Sequence, residues 1–190
     1  MPFGSLWLPV LVSTVAVFIL SSIFHMVIGH HKADYKGLRN EDEVRDAIRR
    51  GTPAPGAYCV PYCKEMKDMK SPELMKKWTE GPVAMIAISP NGTPNMGKYL
   101  GLWFVFCFIA SFFTAYVARI TLNTASDPML ILRVTSSVAF CIYGMGYLID
   151  YIWKATPAPN VLRALIDALV YCLATGLIFK MLWPGTAAGW

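Results

Sequence analysis

Three histidines are the first residues in this chain whose type and spacing suggest chemistry: His25, His30 and His31. Neutral imidazole nitrogens bind zinc, copper or haem iron, especially where a coordination position stays open. On a helix, His30 and His31 would point about 100° apart, whereas in a loop they can reach one ion. The three histidines are therefore candidate metal ligands. The alternative is that they are polar helix ends at a membrane surface.

A second candidate is the pair Cys59 and Cys63, which is followed by the methionines Met66, Met69 and Met75. Thiolate and thioether ligands are soft and suit copper(I). The Cys-x-x-x-Cys spacing resembles that of the paired cysteines in copper-delivery proteins of the Sco type. This resemblance implies copper or thiol-redox handling. It covers the motif alone, with Pro61 inside it and no thioredoxin-like βαβ pattern around it. The alternative is that this segment packs as an apolar plug on the membrane domain.

Four long apolar blocks must position these residues. The chain has 190 residues, of which 55% are hydrophobic and 15% charged. A hydrocarbon core about 30 Å thick needs roughly 20 helical residues, and each block is about that long. A cleaved signal peptide does not explain the first block, which is too long and lacks a preceding basic region. The sequence predicts an all-α integral membrane fold with four transmembrane helices, at Trp7–Ile28, Tyr99–Ala118, Met129–Trp153 and Val161–Trp183.

The blocks divide the chain into a first transmembrane helix (7–28), a membrane-associated polar insert (29–98), and helices 2–4 with a short tail (99–190). The insert of roughly 70 residues is predicted to be partly helical, with helix starts at Asn40 and at Ser71-Pro72. Val83–Ser89 is apolar and fits a short strand or an interfacial segment. The insert has too few apolar residues to form a core alone.

Connectivity gathers four polar residues at one end of the predicted bundle. Helices 1 and 3 end on the insert side and helices 2 and 4 begin there, so His25, Asp150, Arg163 and Asp167 lie near the same membrane face. Charged groups at membrane depth usually pair or serve function. Arg163 and Asp167 are four residues apart and can pair within helix 4. This polar cluster is either an interfacial ion pair or part of an ion path or ligand pocket.

The distribution of charged residues along the chain predicts its orientation in the membrane. Twelve of the seventeen Lys and Arg residues lie in the insert, where they alternate with nine acids. Such alternation is typical of a solvated surface and gives no nucleic-acid signal. We expect a multi-pass protein of the bacterial inner membrane. The positive-inside rule predicts that its insert is cytoplasmic and that both termini are outside. Cys59 and Cys63 would then be reduced thiols, whereas the inverted topology would allow a disulfide.

Helix 2 suggests contact with other molecules. Its small residues Cys107, Ser111, Thr114 and Ala118 share one face, where helices can approach closely. Its aromatic residues would face lipid, a partner subunit or pigments.

No motif for catalysis is found, so the chain is predicted not to be an enzyme. The leading hypothesis is a non-catalytic accessory or scaffold subunit of a larger bacterial membrane complex, of the electron-transfer or photosynthetic kind. Its partners would be other integral membrane subunits, lipids and pigments. One alternative is a copper or thiol-redox protein using Cys59 and Cys63. Another is a small transporter built on the polar cluster. The sequence requires no cofactor; copper and haem are the candidates.

Overall fold

The computed structural model describes residues 3–185 and is mostly helical. Four long helices belong to segments that are long and apolar enough to cross a membrane: Gly4–Ile28, Met96–Thr121, Pro128–Trp153 and Ala158–Met181. This confirms the predicted four apolar helices and fits a multi-pass membrane protein. Residues 186–190 of the predicted tail lie outside the described residues. In chain order the elements are α1 (Trp7–Ser22), α2 (Glu41–Arg50), β1 (Gly56–Val60), α3 (Pro72–Glu80), β2 (Ala84–Ile88), α4 (Met96–Thr121), α5 (Pro128–Trp153) and α6 (Ala158–Met181).

The four long helices pack as a bundle in which α1 contacts α4 and α6, and α5 contacts the same two helices. Helices α5 and α6 approach each other closely at Gly176 of α6. A Cβ atom there would lie 2.9 Å from both Leu132 Cδ1 and Ser136 Cβ of α5. Small residues allow this kind of contact, which is the main source of helix association in lipid.

Two clusters of buried side chains fill the bundle. One includes Val10, Ile131 and Phe179, near the end of α1 where the chain begins. The other includes Cys107, Tyr143 and Tyr171 and lies toward the end from which the polar segment extends. The predicted small-residue face of α4 is buried, as expected: Cys107, Ser111, Thr114 and Ala118. Ser111 also accepts a hydrogen bond from Ser13 of α1, with an Oγ–Oγ distance of 3.1 Å.

The polar segment forms a separate compact unit, Lys36–Pro94. It contains α2 and α3, but also an antiparallel pair of strands in which Tyr58 of β1 lies opposite Ile86 of β2. The all-α description is therefore wrong for this segment. The strand alternative predicted for Val83–Ser89 corresponds to β2, whereas its partner β1 was not predicted. The four long helices belong to the other compact unit, here called the membrane unit, which covers the described residues 3–35 and 95–185. Residues 29–35, which the sequence assigned to the insert, are part of this membrane unit.

Candidate functional site

The candidate site lies where the chain reverses its direction after α1. The helix continues as a π-helical segment, Ile23–Ile28, and ends at Gly29, whose φ of 63° is left-handed. The Gly29 amide donates to the Phe24 carbonyl at 2.9 Å. Glycine adopts this backbone conformation without steric cost, which is why it commonly follows a helix. A short 3-10 turn, His30–Asp34, follows and packs against α6.

The reversal brings both adjacent histidines to one buried carboxylate. Asp167 of α6 is only 4% exposed. His31 Nε2 lies 2.9 Å from Asp167 Oδ2. His30 Nε2 lies 2.9 Å from Oδ1, but without hydrogen-bond alignment, so this contact is electrostatic. The Tyr171 hydroxyl donates to Oδ2 at 3.4 Å. The 3-10 turn thus allows the convergence that a regular helix would have prevented.

Asp34 supports His31 from the opposite side. Asp34 Oδ2 lies 2.6 Å from His31 Nδ1, and Arg163 Nε donates to Asp34 Oδ1 at 2.6 Å. Asn160 donates to the Asp34 carbonyl and accepts from Arg163, both at 3.0 Å. The predicted pairing of Arg163 with Asp167 is therefore not what the structure shows, because each residue has a partner from the reversed segment. Sequence reasoning missed Asp34 and Asn160; only the three-residue spacing of Asp34 from His31 hinted at the first.

These contacts shift the pKa values of the two groups outside the membrane spans. Burial alone would lower the pKa of His31, but hydrogen bonds to Asp34 and Asp167 outweigh it and raise the pKa. Burial alone would raise the pKa of Asp34, but hydrogen bonds from His31 and Arg163 lower it. The network therefore favours a charged His31 held between two carboxylates.

His25, His31 and Asp167 form the one group of three potential metal ligands found among the described residues. Their ligand atoms all lie within 4.8 Å of one another. His25 Nδ1 is 2.9 Å from the Ser21 carbonyl, which favours the tautomer with its proton on Nδ1 and a free lone pair on Nε2. The His25 ring stacks on His31, with centroids 4.6 Å apart. Ligands of one tetrahedral zinc ion lie about 3.4 Å apart, so binding one ion would draw these atoms closer together and tilt the two stacked rings.

A cavity of about 520 Å³ opens beside these three residues, entirely within the membrane unit. Trp103 of α4 is fixed in its wall, since its Nε1 donates to Ser21 Oγ at 2.7 Å. Tyr143 and Tyr171 meet edge to face, with ring centroids 5.6 Å apart. His25, His31 and Asp167 supply the imidazole and carboxylate groups of its lining. The remaining lining residues are mostly aromatic or apolar: Ser21, Ser22, Met26, Met96, Tyr99, Leu100, Trp103, Tyr143, Tyr147, Ala164, Ala168 and Tyr171.

Asp150 does not join this network. It pairs with Lys154 one turn along α5, at 2.7 Å, and is about one-third exposed. It lines a neighbouring pocket with Phe106 and Tyr147. The predicted polar cluster therefore separates: His25, Arg163 and Asp167 belong to one connected site, and Asp150 lies beside it.

The predicted cysteine site is in the other unit. Cys59 is exposed on β1, opposite Met85, and Cys63 is a half-buried free thiol whose Sγ contacts the Glu65 carbonyl at 3.1 Å. Neither belongs to a three-ligand group in the described part of the chain. The five predicted metal ligands thus divide into a histidine set in the membrane unit and a cysteine pair in Lys36–Pro94.

Comparison with protein-family models, with curated proteins and with solved structures finds no match. Function must therefore be inferred from the chemistry and geometry of the site itself.

Proposed function

We propose that this chain is an integral membrane protein that binds a divalent transition-metal ion of the zinc type through His25, His31 and Asp167. The observation that carries the proposal is the convergence of these three ligand atoms within 4.8 Å. They come from three separate segments: the π-helical segment Ile23–Ile28, the 3-10 turn and α6. Imidazole and carboxylate donors suit zinc and related ions. Three protein ligands leave one coordination position open.

The surroundings of His31 support a metal role. Metal-bound histidines usually donate their other ring N–H to a carboxylate, which fixes the tautomer and orients the ring. Asp34 lies 2.6 Å from His31 Nδ1 in that position, leaving Nε2 toward Asp167. Arg163 in turn fixes Asp34 through a 2.6 Å hydrogen bond. The His31 ring is therefore already oriented for coordination, in which Nε2 gives up its proton to bind the ion.

Elemental analysis of the purified protein tests this proposal. We expect zinc or a similar ion in the wild-type protein, and its loss in Asp167→Asn, which preserves the shape of the side chain. The matched control is the double variant Cys59→Ser with Cys63→Ser, which should retain the metal. Retention in Asp167→Asn and loss in the cysteine variant would instead support the copper or thiol-redox alternative. Size-exclusion profiles of the variants distinguish loss of ligand from loss of folding.

A second candidate function is the non-catalytic accessory subunit of a larger membrane complex. The exposed aromatic side chains of α4 support it: Phe104, Phe106, Phe113 and Tyr116. Such side chains suit contact with partner subunits, lipids or pigments. Purification in a mild detergent should then recover a stoichiometric partner. A homogeneous and partner-free protein that keeps its metal would count against this role.

The transporter alternative has less support. Among the described residues, Asp167 is the one fully buried acid, and His30 and His31 contact it. A proton or ion path across a bilayer usually needs several ionisable groups in series. Flux that is unchanged in Asp167→Asn would remove this alternative.

A further inference from the structure

The cavity beside the proposed metal site has an unusual lining. Elsewhere the bundle core consists largely of aliphatic and small side chains, such as Val10, Ile131 and Ala139. Five aromatic side chains surround the cavity instead: Tyr99, Trp103, Tyr143, Tyr147 and Tyr171. A volume of about 520 Å³ is in the range of small-molecule sites, which combine apolar walls with a few convergent polar groups.

The orientation of the rings indicates what kind of molecule fits. Tyr171 lies edge to face with Tyr143 at 5.6 Å, and its centroid is 6.5 Å from that of Trp103. Aromatic rings prefer edge-to-face or offset neighbours, and each such pair adds about 0.5–1.5 kcal/mol beyond area burial. A planar aromatic ligand can extend this arrangement, whereas a saturated chain gains only from burial.

Tyr143 provides an independent sign that a ligand belongs here. Its side chain is 6% exposed, yet its hydroxyl has no hydrogen-bond partner among the described residues. Cys107 and Ser111 are polar neighbours, but neither meets hydrogen-bond geometry with it. A buried hydroxyl without a partner costs free energy. The face of an aromatic ring in the cavity can accept a weak hydrogen bond from this hydroxyl.

We infer that this cavity binds a membrane-soluble phenol, with its ring among Trp103, Tyr143 and Tyr171 and its oxygen toward His25, His31 and Asp167. An alkyl substituent would extend past Met26 and Met96, which are 73% and 64% exposed. The orientation of the oxygen rests on the proposed metal function, because the open coordination position selects an oxygen donor. The aromatic selectivity rests on the cavity alone.

The test is titration of the full-length protein in lipid nanodiscs with hexylphenol and with its ring-saturated analogue, hexylcyclohexanol. The two probes share their length and their single hydroxyl, so their comparison isolates the aromatic ring. We expect hexylphenol to bind about tenfold more tightly, corresponding to one to two favourable ring contacts. Equal affinities would overturn the inference and indicate general binding of amphiphiles.

Two matched variants test whether hexylphenol binds in this cavity. Leu100 lines the cavity and is partly exposed, so Leu100→Trp should fill the space without disturbing the core. Leu102 on the same helix does not line it and is 57% exposed, so Leu102→Trp is the control. We expect loss of hexylphenol binding in the first variant only. Equal binding by both variants would overturn the inference.

Measuring the zinc content of each protein together with its hexylphenol binding distinguishes the proposed metal site from the proposed phenol site. Zinc bound to both tryptophan variants, with hexylphenol binding lost only in Leu100→Trp, supports both. Zinc without any preference for hexylphenol contradicts the phenol site and leaves the metal site intact. Preferential hexylphenol binding by a protein that takes up no zinc contradicts the metal function. It would leave Asp167 and the two histidines, His25 and His31, as the groups that bind the phenol oxygen.

Discussion

At His31, both ring nitrogens face carboxylates, Asp167 at 2.9 Å and Asp34 at 2.6 Å. The two contacts have different roles in the proposed site. Asp167 would bind the ion directly, whereas Asp34 orients the ring and does not itself reach the ion. His31 is therefore the residue on which the direct and the supporting contacts converge.

Asp34→Asn tests the supporting role. The amide keeps the size of the side chain but removes the charge that holds the His31 N–H. Changes to such outer-shell partners typically weaken metal binding about 10- to 100-fold. We expect a loss of zinc affinity in this range, measured by competition with a chromophoric chelator. Asp46→Asn is the control, since Asp46 is exposed on α2 and pairs with Arg49.

Unchanged zinc affinity in Asp34→Asn would show that His31 needs no carboxylate to orient it. An equal loss in Asp46→Asn would point to a general effect of charge rather than to the site.

Sequence reasoning found part of this site and could not have found all of it. Helix connectivity predicted that His25, Arg163 and Asp167 lie at one end of the bundle. It also included Asp150, which pairs with Lys154 instead. Asp34 was missed because its role depends on the left-handed backbone at Gly29. Helical periodicity does not describe a reversal of that kind.

At the scale of elements, the contact between α5 and α6 depends on the absence of a side chain at Gly176. Gly176→Ala would place a Cβ 2.9 Å from Leu132 Cδ1 and 3.1 Å from the Leu132 carbonyl oxygen. Overpacking of this kind typically destabilises a protein by about 1–3 kcal/mol. We expect a lower midpoint of thermal unfolding in detergent, followed by intrinsic fluorescence.

Gly101→Ala is the matched control for that variant. Gly101 lies in α4, and a Cβ there meets nothing within 4 Å. Alanine in an open helical position should be neutral or stabilising by up to about 1 kcal/mol. If both alanine variants lowered the unfolding midpoint equally, the close approach at Gly176 would not be what limits the packing.

The long helices could be predicted from the sequence, whereas the pairing of β1 with β2 could not. Hydropathy alone located α4, which extends only three residues beyond each end of the predicted Tyr99–Ala118. The strands β1 and β2 are five residues each and are separated in sequence by α3. Val83–Ser89 was apolar enough to suggest a strand. Nothing in the composition of Gly56–Val60, with two prolines just before it, identified its partner.

At the scale of the whole molecule, the positive-inside rule predicts that the Lys36–Pro94 unit is cytoplasmic. Its two thiols offer a direct test, because Cys59 is exposed and Cys63 is half-buried. A membrane-impermeant maleimide should therefore label inverted inner-membrane vesicles and not intact spheroplasts. Cys107 and Cys172 are buried in the bundle and should not react.

The double variant Cys59→Ser with Cys63→Ser is the control, and it should lose the labelling of the vesicles. Labelling of intact spheroplasts would reverse the orientation. The pair would then face a compartment in which a disulfide can form.

Zinc K-edge X-ray absorption of the zinc-loaded protein reports which atoms bind the ion. We expect a shell of nitrogen and oxygen ligands alone, at about 2.0–2.2 Å, with the outer-shell scattering of imidazole rings from His25 and His31. This shell should be absent in Asp167→Asn. A sulfur shell at about 2.3 Å would place the ion on Cys59 and Cys63 and contradict the proposed histidine and aspartate site.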